Sequence, residues 1–270
     1  MKLRIIIVIA AFLLLTAVTQ IGGAILILAM VLRRIALPAV SKPTFATSIV
    51  FIGLYLVVSL WVVPPLAAGF GRLQLPCLAS ASHPVAANSS LYCLANRNYV
   101  RPELAVILDH IGQRTASRYP GTIVSYLDAG FPFADGFPLL PHLSHQDGRK
   151  LDLALFYIDR ESGRPEPRGG AWWLGYWAYL PARDDGEIAC SERQSGRLRW
   201  DMDWLQPLFS DLVLDVPRTR AMVLAAMNEP IDKAFLEPYL INRFGMADPK
   251  LLFAGCHAAR HDDHLHIQIR

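Results

Sequence analysis

The chain has 270 residues, 53% of them hydrophobic and 18% charged, with a formal net charge of +3. So small a positive balance, with no basic helix and no zinc-finger spacing, argues against a nucleic-acid partner. The apolar excess sits in roughly the first 70 residues, which leaves ordinary globular material for one domain of roughly 170–200 residues with its own core.

Residues 5–32 contain no charged side chain. At about 1.5 Å per residue such a run can cross roughly 30 Å of hydrocarbon even when tilted. A cleaved signal peptide would have a shorter apolar core and a small-residue cleavage site. Arg33 and Arg34 follow directly, and a second uncharged run covers 45–70. The pattern predicts a hairpin of two transmembrane helices over 1–72, ending near Pro64-Pro65 and 69–72. Arg33, Arg34 and Lys42 put the connecting loop in the cytoplasm by the positive-inside rule, and both termini outside. Lys2 and Arg4 pull the other way.

All four cysteines, Cys77, Cys93, Cys190 and Cys256, follow the second apolar run. An even number confined to the outer portion suits an oxidising compartment. Of the three possible pairings, a local clip Cys77–Cys93 and a second bridge Cys190–Cys256 are expected. Residues 73–98, rich in Pro, Ser, Ala and Asn, read as a linker or irregular cap held by the first bridge. Asn88-Ser89-Ser90 matches a glycosylation sequon.

The spacing of Leu104, Ile107, Leu108 and Ile111 behind Pro102 predicts an amphipathic helix over 102–118. A short strand is expected over 123–127, then a Gly/Pro/Phe-rich loop over 128–141 that can shape a cleft. Residues 151–158 read as a strand and 160–170 as a polar loop. Trp172, Trp173, Tyr176, Trp177 and Tyr179 form an aromatic run over 171–180 that reads mainly as core. Next come a polar loop over 183–197, helical spacing over 200–214 and a helix or strand–helix junction over 218–227. A second helix is expected over 231–244, kinked or broken at Pro238, and a short strand over 250–253. The tail from Leu265 alternates as a half-buried strand does. Side chains at i and i+2 share a face, so His264 and His266 point together while Leu265, Ile267 and Ile269 pack the other way.

His145 and Asp152 are the upstream counterpart. Gly148 between them allows a sharp bend, so both can turn back on one point. Asp152 heads an apolar strand, where a carboxylate is costly unless paired or metal-bound. His145, Asp152 and His266, with His264 beside them, supply two imidazoles and one carboxylate with a fourth position open. That is the composition of a catalytic zinc site. Nitrogen donors favour zinc over magnesium or calcium. Asp262 and Asp263 read as turn-formers or as partners that orient imidazoles.

His145-x6-Asp152 followed by His264-x-His266 resembles the signature of the LAS-type zinc metallopeptidases, which comprise lysostaphin-like enzymes, D-Ala-D-Ala metallopeptidases and hedgehog-like domains. The closer resemblance is to the penicillin-insensitive murein endopeptidases. It extends to Ser144-His145-Gln146 with Gly148, to His142, and to His261-Asp262-Asp263-His264, and covers about 128–159 and 256–270. The resemblance implies an α+β fold, a small antiparallel sheet with flanking helices, for a zinc peptidase domain over 99–270. It implies Zn2+ held by His145, Asp152 and His266, His264 as the proton-handling neighbour, His261 as a further catalytic histidine and His142 as a substrate-binding one. It also implies hydrolysis of peptide cross-links of peptidoglycan. A D,D- or L,D-carboxypeptidase and a non-catalytic wall-binding module are the alternatives. One departure is visible: the branch tends to carry Leu-Asp-Val-Asp where this chain has Arg149-Lys150-Leu151-Asp152. Together with the apolar helices, these features place the chain in a bacterial cytoplasmic membrane with the domain outside, its partners being the lipid bilayer and peptidoglycan peptides.

Overall fold

A computed structural model of the chain describes residues 2–179, Cys190 and residues 202–270. The polar loop expected over 183–197 therefore lies, apart from Cys190, outside the described residues.

The first apolar run does not form one helix. Helix α1 spans Lys2–Thr19 and α2 spans Gly22–Ala36. Between them Gln20 takes a left-handed backbone conformation, φ 66°, which ends a helix. Thr16 and Thr19 donate their hydroxyls to carbonyls four residues back, and the Thr19 hydroxyl accepts from the Gly22 amide. The chain then turns back. A side chain at Gly22 would meet Leu15 and Thr19, and one at Gly23 would meet Thr16 and Phe12. Absent Cβ atoms thus let the helix backbones approach closely. Partial burial of Val8, Ala11, Phe12, Leu15 and Thr16 marks the face of α1 that α2 covers.

Helix α3, Pro43–Val57, packs on α2. It continues through one π turn, Val58–Val62, into α4, Val63–Gly69. Pro64 has no amide to give the regular ladder, and the wider turn accommodates it. By length and hydropathy, Lys2–Thr19 and Pro43–Gly69 could each cross a membrane, whereas α2 between them has 15 residues.

The domain is mixed α+β. After α4 come β1 (Leu73–Gln74), β2 (Val85–Ala87), α5 (Ser90–Leu94), β3 (Tyr99–Val100), α6 (Pro102–Arg118), β4 (Val124–Tyr126), β5 (Lys150–Ala154) and β6 (Tyr157–Asp159). A 3-10 segment (Asp203–Phe209), β7 (Leu212–Leu214), α7 (Val216–Met227), β8 (Lys233–Phe235), α8 (Pro238–Arg243), β9 (Leu251–Leu252) and β10 (His264–Gln268) complete it. Six strands form one sheet in the order β2-β4-β5-β10-β8-β9. Its centre, β4-β5-β10-β8, is antiparallel, and the outer pairs β2-β4 and β8-β9 are parallel. The segment read as linker or cap thus supplies an edge strand of this sheet.

Three assignments differ from the sequence reading. Residues 231–244 hold β8 and then α8, because Pro238 starts the helix. Residues 202–214 hold the 3-10 segment and β7, with Pro207 inside the former. Residues 150–159 hold two strands in different sheets, since β6 leaves to pair with β7. The expected helix over 102–118 forms as read and buries Leu104, Ile107, Leu108 and Ile111. It packs on α7 and on β2 and β4. Both disulfides pair as expected, Cys77 with Cys93 and Cys190 with Cys256.

Candidate metal centre

The pairing of β5 with β10 builds the site. Its register sets His266 opposite Asp152, Leu265 opposite Leu153 and His264 opposite Ala154. Leu265 and Ile267 are wholly buried in the core on one face, so His264 and His266 are held on the other. The tail is a central strand covered on both sides, where the alternation had suggested a half-buried one. Asp152 Oδ1 lies 2.8 Å from His266 Nδ1 and 3.4 Å from His145 Nε2, and the two imidazole nitrogens are 3.2 Å apart. An ion with bonds of 2.0–2.1 Å in tetrahedral geometry separates its donors by about 3.3 Å. All three side chains are buried.

Partners behind each ligand aim it. The His145 Nδ1–H donates to the Ala129 carbonyl at 2.9 Å, which turns the Nε2 lone pair toward Asp152. The Tyr176 hydroxyl donates to Asp152 Oδ2 at 2.6 Å, leaving Oδ1 to face the imidazoles. The three donor atoms converge within reach of one ion, so this donor set fits zinc; without an ion, imidazole protons bridge to Asp152 at the same distances.

The bend between His145 and Asp152 is braced from the side of the N-terminal helices. Gly148 has φ +67°, and a side chain there would run into the Arg72 guanidinium. Arg72, buried just past α4, donates to the Asp147 carbonyl and pairs with Asp135. The Arg101 amide donates to the Gly148 carbonyl at 2.8 Å, and Arg101 also pairs with Asp135. Asp147 itself accepts from the Arg149 amide and from Lys150.

Three further histidines surround the centre. His264 Nδ1 donates to Asp263, whose other oxygen accepts from the Trp177 amide. Its free Nε2 lies 3.8 Å from Asp152 Oδ1. His142 Nδ1 lies 2.7 Å from Asp128 Oδ2, and Arg97 grips the same carboxylate with two hydrogen bonds of 2.6 and 2.7 Å. The His261 ring is 4.9 Å from that of His264 and 5.7 Å from that of His266. Its buried Nδ1 has no hydrogen-bond partner. Asp262 pairs with Arg260 and accepts from the Tyr239 hydroxyl, away from the ligands. A cleft lined by Pro141, His142, Tyr176, Trp177, Asp263 and His264 opens beside the centre.

Electrostatics separate the groups by role. Burial opposes ionisation of Asp152, but the charges of His145 and His264 hold its pKa well below the usual carboxylate range. Burial also disfavours charge on His264, yet Asp152 and Asp263 outweigh it and raise the pKa to about 9. On His266 burial wins over the Asp152 hydrogen bond and lowers the pKa to about 4, which keeps the imidazole neutral as a metal ligand must be. Burial, followed by the charges of His264 and His266, pushes His261 well below the ordinary histidine value. Asp128, despite burial, is held down to about 2 by Arg97 and His142.

Every residue singled out in sequence for the centre, His142, His145, Asp152, His261, His264 and His266, comes into this one cluster. Sequence reasoning missed Tyr176, Asp128, Arg97 and Arg72. Tyr176 was absorbed into an aromatic run, and the others are ordinary charged residues whose partners lie 14 or more residues away in the chain. No protein-family model matches the chain, and no curated protein matches it.

Alanine at His145, Asp152 or His266 is expected to abolish stoichiometric zinc binding by the full-length protein, measured by metal analysis after dialysis. Tyr176→Phe should retain the fold but weaken zinc about 10–100-fold in a chelator competition, the usual effect of removing a partner behind a ligand. Gly148→Ala, strained by its positive φ and blocked by Arg72, should cost about 1–3 kcal/mol in denaturant unfolding.

Proposed function

We propose that the chain is a membrane-anchored, zinc-dependent peptidase that opens peptide cross-links of peptidoglycan. The observation that carries this reading is the pairing of a three-donor centre with a fourth, non-ligating histidine, His264, which a carboxylate holds in place beside a cleft. Zinc would be held by His145, Asp152 and His266, and when bound it lowers the pKa of water and polarises a carbonyl. His264 presents Nε2 for proton exchange with the reacting group while Asp263 fixes its tautomer and orientation. His142, locked by Asp128 and Arg97, lines the cleft and orients the peptide. A module that only gripped wall peptides would have no use for the Asp263–His264 pair. Incubation with purified cell wall should release shorter cross-linked-peptide fragments detectable by mass spectrometry, and His264→Ala should reduce the rate while retaining zinc. Loss of single terminal residues instead would assign a carboxypeptidase. If wild-type protein loaded with zinc cut no wall peptide, the enzymatic reading would fail.

The anchor has one orientation in this reading. Because α2 turns back along α1, Lys2, Arg4, Arg33, Arg34 and Lys42 gather at one end of the helices. The turn at Gln20 lies at the other end against the domain, where its side chain accepts from the Phe133 amide. The positive-inside rule then puts the N-terminus and the 37–42 loop together in the cytoplasm. This replaces the external N-terminus expected from two spans and removes the conflict posed by Lys2 and Arg4. The domain and its two disulfides lie outside. An N-terminal tag should resist protease added to intact spheroplasts, while the domain is digested; a digested tag would reverse the assignment.

A further inference from the structure

The helices meet the domain in a polar layer. The Tyr55 hydroxyl donates to the Leu94 carbonyl at 2.5 Å, and Asn96 Nδ2 donates to the Tyr55 and Ser59 hydroxyls. Thr19 and Gln20 end α1 at the same interface. From this layer back to the first basic residue is Thr19 to Arg4, Gly22 to Arg33 and Tyr55 to Lys42, roughly 17–23 Å at about 1.5 Å per residue. A hydrocarbon core is about 30 Å thick. Roughly 7–13 Å of it must therefore lie on the domain side of the layer. Trp61, 68% exposed, stands about 9 Å beyond Tyr55 along the helix, where an aromatic side chain marks the hydrocarbon boundary.

The stretch of the domain that is tied to this layer is uncharged. Residues 73–96 contain no Asp, Glu, Lys or Arg. Helix α5, tied to Tyr55 through Leu94, exposes Leu91 and Leu94 by 47% and 46%. Asn88, just before it, donates to the carbonyls of Trp172 and Trp173, and the Tyr92 hydroxyl donates to that of Leu174. Trp173 is 54% exposed. The 3-10 segment packs Phe209 on Trp172 and exposes Trp204 and Leu208. Trp177, farther along the same strip, lines the cleft. The loop pinned to Gln20 through Phe133 likewise exposes Leu140.

We infer that the outer leaflet of the bilayer covers the surface formed by α5 and the aromatic strip, so that the cleft opens at the lipid–water boundary. The inference rests on the membrane reading above. Lipid is the occupant because residues 73–96 continue the apolar face of α3 and α4 without an Asp, Glu, Lys or Arg, and because tryptophan and leucine together suit the interfacial zone. It narrows the substrates to wall peptides held at the membrane surface, such as those on lipid-linked chains.

The test needs no activity. All four native cysteines are paired, so Leu91→Cys or Leu94→Cys gives one labelling site for a nitroxide in full-length protein reconstituted in phospholipid nanodiscs. Collision with oxygen should exceed collision with a water-soluble nickel chelate severalfold at both positions, as at Ile49→Cys on α3. Val106→Cys, exposed on α6, should show the reverse. Labels at 91 and 94 that behave like the one at 106, with 49 still lipid-like, would overturn the inference alone. A water-exposed label at 49 would remove the membrane reading and the inference with it.

Discussion

A carboxylate buried in the middle of a sheet is the constraint on which this molecule turns. Asp152 is almost fully enclosed, and an unpaired charge there would cost several kcal/mol. Every neighbour of the group answers that cost. Tyr176 donates to one oxygen, while His266 and His145 face the other. The arrangement is stable only with cationic charge in it, supplied by protons on the imidazoles or by a metal. The same requirement makes the position useful: a site that must hold positive charge, beside a cleft and next to a histidine oriented by Asp263, is suited to polarising a bound carbonyl.

The helices at the N-terminus are part of this construction. A small apolar cluster of Val63, Ala67 and Tyr99, with Ile21, Val58 and Phe133 packed on it, joins the helices to the domain. Phe133 and Asp135 belong to the loop that continues to His142 and His145, and Arg72 reaches from the end of α4 to the turn before Asp152. These helices therefore do more than precede the domain. They clamp the loop that brings two of the histidines to the centre, and this gives a physical reason for residues 73–98 to be woven into the sheet between helices and site.

Some parts were legible from residue order because their causes are local. A period of two in 264–269 put His264 and His266 on one face. The stripe in 102–118 marked a helix, and the run of uncharged residues marked the apolar segments. Gly148 announced a bend. The break at Gln20 was not legible, because the run around it stays apolar and only the close approach of Gly22 and Gly23 to α1 reveals the reversal. Pro238 was read as a break inside a helix when it begins one. Local propensity cannot tell the two apart once β8 finds partners in β9 and β10.

The sequence by itself determined the donor types, their pairing across a turn and along a strand, and the apolar segments, since each follows from spacing over a few residues. Only the tertiary structure decided that Asp152 and His266 sit opposite each other, that Tyr176 and Asp263 steer the groups around them, and that the first apolar run folds back to gather the basic residues at one end. Those outcomes depend on strand register and on contacts between residues far apart in the chain. They are set by burial of the core and satisfaction of its polar groups as a whole, which no short window of sequence contains.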